Sequence, residues 1–119
     1  MKHKEIKTPA GESVIVFSPE GRLDITTAWQ FRLKLQEAIT QDTPNVLVDL
    51  AKITFIDSSG LTSLVAGMRD SDNVGGSFRL CNVHTEARLV FEVTMMDTVF
   101  EIYDTEAEAL AVPFKVSVG

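Results

Sequence analysis

The chain has 119 residues, of which 45% are hydrophobic and 24% charged, ordinary usage for one globular domain. A chain of this length buries roughly 65% of its unfolded surface, enough for one core without a metal or disulfide staple. The net charge of −6 argues against a duplex nucleic-acid or anionic-membrane binder, and the single cysteine, Cys81, excludes an internal disulfide and any multi-cysteine metal site.

Residues 1–12 read as a strand-and-turn region. Met1 to Ile6 is charged and lacks the apolar run of a secretory signal, and His3 is expected in a frayed end. No apolar stretch approaches the roughly 20 residues that span a bilayer. A soluble, cytoplasmic chain is the expectation. Ser13 to Phe17 is β-branched and aromatic, which predicts a strand, and Pro19-Glu20-Gly21 predicts a turn. Asp24 is then the expected N-cap of a helix whose inward face carries Ala28, Phe31, Leu35, Ala38 and Ile39. Trp29 and Leu33 fall off that stripe. They read either as a pair covered by the chain's own tail or as a protein-contact patch.

Asn45 to Leu50 is nearly continuously apolar, the sign of a central strand covered on both faces. Thr54-Phe55-Ile56 leads into Asp57-Ser58-Ser59-Gly60. Leu61, Leu64, Val65 and Met68 then define an amphipathic helix, with Thr62, Ser63, Ala66 and Arg69 on its other side. Asp70 and Asp72 read as solvated loop carboxylates rather than metal ligands, before a loop at Asn73–Gly76. Ser77 to Val83 alternates as a strand, with Cys81 in the core. Ala87, Val90 and Phe91 mark a short helix, and Met95-Met96 is expected to fill core gaps at its end. Val99 to Tyr103 is the next strand. Thr105 with Glu108 forms a possible capping box for a last helix, and the acidic cluster around it reads as a solvated face. Pro113 ends that helix, leaving residues 113–119 as a tail of strand character. Alternating strands and helices predict a single α/β domain over 1–119, with a mixed, mostly parallel sheet of about five strands and about four helices.

The segment richest in chemistry is Asp57-Ser58-Ser59-Gly60, at a strand-to-helix junction. A helix start carries unpaired N–H groups and partial positive charge, so it suits an anion, including a phosphate on its own side chain. Asp57 or Ser58 can cap the helix, and Gly60 leaves the first turn uncrowded. The plainer reading is an N-cap and nothing more. A serine hydrolase would need a base. Gly-x-Ser-x-Gly is absent, and the histidines are only His3 and His84, the latter expected in a solvated loop.

Five segments resemble the STAS domains of anti-sigma factor antagonists. Gly21-Arg22-Leu23-Asp24, Val46 to Leu50, Phe55 to Leu61, Ala87 to Asp97 and Phe100 to Asp104 occur in the family's order over roughly residues 13–110. One departure is Met95, which stands where the family usually has a helix-ending glycine. Because methionine avoids positive φ, that end is expected to differ locally. The resemblance implies partner switching without catalysis, cofactor or metal. The unmodified chain would bind an anti-sigma factor, a serine kinase with a histidine-kinase-like ATP fold, and so release a sigma factor. The kinase would phosphorylate Ser59, and a PP2C-type phosphatase would reverse it. Asp57, Ser58 and Gly60 complete the phosphosite loop, and Asp24, Thr62, Ser63 and Ala66 are the expected partner contacts. A weak homo-oligomer is compatible with this reading. The alternative is a STAS scaffold, whose serine does not switch, docking to a phosphatase, response regulator or larger assembly.

Overall fold

The computed structural model describes residues 2–114. Strands β1 (Lys2–Lys7), β2 (Ser13–Ser18), β4 (Asn45–Asp49), β6 (Phe78–Cys81) and β7 (Glu101–Tyr103) form one sheet in the order β1-β2-β4-β6-β7. β1 runs antiparallel to β2, and every other pairing in this sheet is parallel. A separate two-stranded ribbon pairs β3 (Gly21–Leu23) with β5 (Ile53–Ile56) in parallel. The helices are α1 (Ala28–Ala38), α2 (Ser58–Asn73), α3 (Thr85–Val93) and α4 (Glu106–Ala111).

The strand order advances steadily across the sheet from β2 to β7. Crossovers of one hand then place every connecting helix on one face. Phe31 and Leu35 of α1, Leu61 and Leu64 of α2, and Ala87 and Phe91 of α3 share a core with Ile15, Phe17, Val46, Val48, Phe78 and Leu80. The alternate residues Val14, Val16, Leu47 and Cys81 point to the other face and meet Ala109 and Phe114. β4 is therefore covered on both sides, and its near-continuous apolar run needs no alternation. Close approaches tighten the front layer. A Cβ at Gly67 would sit 2.7 Å from a Leu35 methyl and 2.9 Å from the Phe78 ring.

Several expectations are corrected. Gly21-Arg22-Leu23 is a strand rather than the end of a turn, because its backbone can pair with β5. α1 starts at Ala28, with Thr27 at the cap position. Asp24 opens the turn before it and is not the helix cap. His3 lies in β1 and stacks on Phe17 at a centroid distance of 5.2 Å. Asp70 and Asp72 belong to α2, where Asp70 pairs with Arg32 at 2.7 Å. Val99 precedes β7 instead of belonging to it. The capping geometry at Thr105 does form, its side chain accepting from the Glu108 N–H at 3.1 Å. Of the tail, Phe114 is described and buried, while residues 115–119 lie outside the described residues.

Met95 gives the clearest reversal. It follows α3 with φ 61°, taking the left-handed conformation of the glycine it replaces. Its side chain is 66% exposed and fills no gap, whereas Met96 packs against the core. Met95→Gly removes the Cβ penalty of this conformation while losing little burial. The expected result is a gain of about 0.5–1 kcal/mol, read as a melting temperature higher by roughly 2–5 °C. A lower melting temperature would show that the methionine side chain contributes more than its exposure implies.

Candidate functional site

Asp57 organises the start of α2. Its Oδ1 accepts from the Gly60 N–H at 3.0 Å, which makes it the N-cap by the usual side-chain route. Its Oδ2 accepts from the Ile25 N–H at 3.2 Å, across from the β3–α1 turn. The Asp57 N–H in turn donates to the Leu23 carbonyl at 3.3 Å. One residue thus ties α2 to the segment around Asp24. Ser58 is exposed and Ser59 half-buried, and both lie in the first turn. Among the described residues, neither serine hydroxyl has a hydrogen-bond partner, and the two backbone N–H groups have no acceptor.

Gly60 has a stronger reason than an uncrowded turn. A Cβ there would collide with the Leu23 carbonyl oxygen and lie 2.8 Å from Ile56 Cγ1. Gly60, Ser63, Gly67 and Ser71 form a buried row of small residues on α2, where Gly60 meets the Leu23 backbone, Gly67 the Leu35 and Phe78 side chains, and Ser71 the Pro44 carbonyl. This corrects the expectation for Ser63. It is 4% exposed and donates to the Gly60 carbonyl at 2.6 Å, so it is no surface contact. The helix packs on the sheet and on α1 together, so its buried arc is wider than the Leu61–Met68 stripe. The small-residue spacing was a readable signal of that second contact. Thr62 is exposed and Ala66 half-buried, as an outer face requires.

Asp24 is also withdrawn from the surface, at 7% exposed. Its Oδ1 accepts from the Thr26 hydroxyl at 2.6 Å and the Thr26 N–H at 2.9 Å, and Oδ2 accepts from Arg22 Nε at 2.8 Å. The Thr26 hydroxyl first, and then Arg22, hold its carboxyl well below the usual range, at about 2. Its role is to shape the turn that presents Ile25. What the turn displays is apolar: Ile25 is 76% exposed and Trp29 70%, with Leu33 also exposed one turn further along α1. The described residues provide no cover for Trp29. Arg22 lies over the Phe55 ring at 4.1 Å, beside this region. Sequence reading missed Ile25 because one isoleucine in a polar turn has no periodicity to mark it.

His84 sits at the N-cap position of α3, and its Nε2 meets the Ala51 carbonyl, not a serine hydroxyl. Among the described residues, no group of three His, Cys, Asp or Glu side chains is placed to hold a metal. No described helix is long and apolar enough to cross a membrane.

Two stability measurements probe this arrangement. Gly60→Ala forces backbone apart at the α2 start and is expected to cost about 1–3 kcal/mol in urea unfolding. A cost near zero would mean that Leu23 can move freely. Asp24 ionises at about 2 when folded, against 3.8 for the free group, so its contribution is present above pH 3.8 and lost as pH falls toward 2. Asp24→Asn is therefore expected to flatten the loss of stability across that window. An unchanged acid limb would remove Asp24 from it.

The STAS domain family profile matches residues 5–109. An anti-sigma F factor antagonist of Lysinibacillus sphaericus is 30% identical over 105 residues, covering 83% of this chain and 89% of that protein. The solved structure of an anti-sigma-factor antagonist (STAS) domain protein from Planctomyces limnophilus superposes with a TM-score of 0.75 at 32% identity, covering 92% of this chain and 95% of that one. Structures of the antagonist SpoIIAA exist in unphosphorylated form, at 27% identity, TM-score 0.63 and coverage of 92% and 96%. The phosphorylated form stands at 26%, 0.62, and 92% and 97%. With the profile reaching from β1 to α4 and the signature segment intact at the start of α2, this chain belongs to the STAS domain family.

Proposed function

We propose that the chain is an anti-sigma factor antagonist switched by phosphorylation of Ser59. The observation that carries this reading is the partnerless Ser59 hydroxyl in the first turn of a capped 16-residue helix, beside the exposed Ile25–Trp29–Leu33 strip. Unmodified, this face binds an anti-sigma factor and releases the sigma factor it held. The apolar strip supplies contact area, and Thr62 and Ala66 extend it along α2. Asp24 acts from behind by shaping the turn. Support also comes from SpoIIAA, an antagonist with structures in both phosphorylation states.

The anti-sigma factor is a serine kinase in this scheme. It transfers the terminal phosphoryl group of ATP to Ser59 Oγ, the hydroxyl proton leaves, and ADP departs. A PP2C-type phosphatase hydrolyses the ester back to serine and phosphate. The chain itself performs no catalysis, and the exchange takes place in the cytoplasm. The new charge sits at a helix start whose Ser58 and Ser59 N–H groups lack acceptors among the described residues, so the fold tolerates it. The partner surface, fitted to a hydroxyl, must instead desolvate a dianion. The net charge moves only from −6 to about −8, so the effect is local.

A scaffold reading, with docking to a phosphatase, response regulator or larger assembly, draws on the exposed Trp29 rather than on Ser59. Intact mass of the protein from its native cell separates the two, since a scaffold stays unphosphorylated in every growth condition. For the switch, Ser59→Asp is expected to fold normally and lose kinase binding by about 100-fold or more, roughly 2.7 kcal/mol. Ser59→Ala is expected to bind and stay bound in the presence of ATP. Wild-type affinity in Ser59→Asp, measured by calorimetry against the cognate kinase, would sink the switch.

A further inference from the structure

The back face of the sheet is held by very little chain. Val14, Val16, Leu47 and Cys81 are covered there by Ala109 of α4 and by Phe114, with Ile6, Tyr103 and Leu110 at the margin. α4 has six residues, far below the ~12–15 at which an isolated helix becomes even marginal. Its place therefore depends on tertiary contacts, and these converge on one side chain.

Arg79 projects from β6 onto this face and is 2% exposed. Its Nη1 donates to the carbonyls of Ala109 at 2.7 Å and Val112 at 2.6 Å, and Nη2 donates to that of Pro113 at 2.7 Å. The guanidinium lies 3.8 Å from the centre of the Phe114 ring. Its Nε is buried without a hydrogen bond, the Glu101 carboxylate lying 3.5 Å away. On the opposite side, the Phe114 N–H donates to Glu12 at 2.7 Å, and the same carboxylate accepts from Thr8.

Two features make this closure weaker than the rest of the fold. The three carbonyl bonds share one guanidinium, so they break together. A buried cation with an unsatisfied N–H regains hydration on release, which offsets much of what the bonds contribute. The front layer has no such term: among the described residues, Arg79 Nε is the one buried side-chain nitrogen or oxygen without a hydrogen bond, and the buried serines of α2, Ser63 and Ser71, both donate to carbonyls.

We propose that Glu106–Phe114 is a strap that opens from the back of the sheet as one unit, hinged at Asp104-Thr105, while the front layer carrying Ser59 stays folded. It is a sub-global opening of the kind that gives folded domains separable cooperative units. It lies on the opposite face from the proposed switch and stands or falls independently of it. Its natural reporter is Cys81. In the closed state burial pushes that thiol up to about 12, so a disulfide reagent meets neither access nor thiolate. Opening the strap supplies both.

The test is native-state labelling of Cys81 with a chromogenic aromatic disulfide, followed against urea, with global unfolding measured in parallel. Wild type is expected to label at low urea with little urea dependence, ahead of global unfolding. Phe114→Ala removes the ring beneath Arg79 and is expected to speed labelling by about tenfold or more. Phe31→Leu weakens the front core and the global stability, yet it leaves the strap's contacts unchanged. Its labelling rate is expected to stay within about twofold of wild type. Wild-type labelling that follows the global unfolding curve overturns the strap. So does an unchanged rate in Phe114→Ala, or an equal acceleration in Phe31→Leu.

Discussion

The backbone of Leu23 passes so close to the first turn of α2 that no side-chain carbon fits at Gly60 between them. This approach exists because β3 pairs with β5, the strand that feeds α2 directly. It lets the Leu23 carbonyl take the Asp57 N–H, and lets the Asp57 carboxylate hold both the helix start and the Ile25 backbone. The serines, the capped helix end and the exposed apolar strip are thus positioned by one short ribbon. A looser contact would leave Ser59 and Trp29 on elements free to move against each other.

The two faces of the sheet are built on different terms. On the front, three helices bury aromatic and aliphatic side chains in one continuous core. Edge-on aromatic contacts, Phe17 with Phe31 and Phe91 with Phe100, join helices to sheet and helix to the β7 approach. On the back, a small apolar cluster depends on a buried arginine. Burying a guanidinium is tolerable because main-chain carbonyls and a ring face surround it, but such an arrangement specifies position more than it adds stability. The division keeps the proposed Ser59 face on the more firmly packed layer.

Much of the fold was legible in the chain. Periodicity marked Ala28, Phe31 and Leu35 as one inward face, and Asn45–Leu50 as a central strand. The helix after Asp57 was legible too, because capping chemistry and apolar spacing are local and repeat. Misreadings arose where a residue's environment came from distant chain. Ser63 looked exposed because the second neighbour of α2 is α1, about 30 residues away in sequence. Asp24 is the local exception: it looked like a cap, yet its carboxylate is taken by its neighbours Thr26 and Arg22, two residues away on either side. Arg79, on the same face of β6 as Cys81, drew no notice in the chain, because its cover, α4 and Pro113–Phe114, lies about 30 residues away. Met95 departed from propensity because its flanks, α3 and the turn at Met96–Thr98, dictate a left-handed residue whatever occupies the position.

By itself, the sequence determined one acidic α/β domain with a serine in the first turn of a capped helix. Those features follow from local backbone preference and from patterns within a few residues. Tertiary structure alone decided which groups surround that serine. It withdrew Asp24 and Ser63 from the surface, brought Ile25 to Asp57, left Trp29 uncovered by the described residues and gave Arg79 the tail to hold. The physical reason is range. Capping and amphipathic spacing act over one or two turns, whereas burial and close approach depend on which segments the sheet order brings side by side.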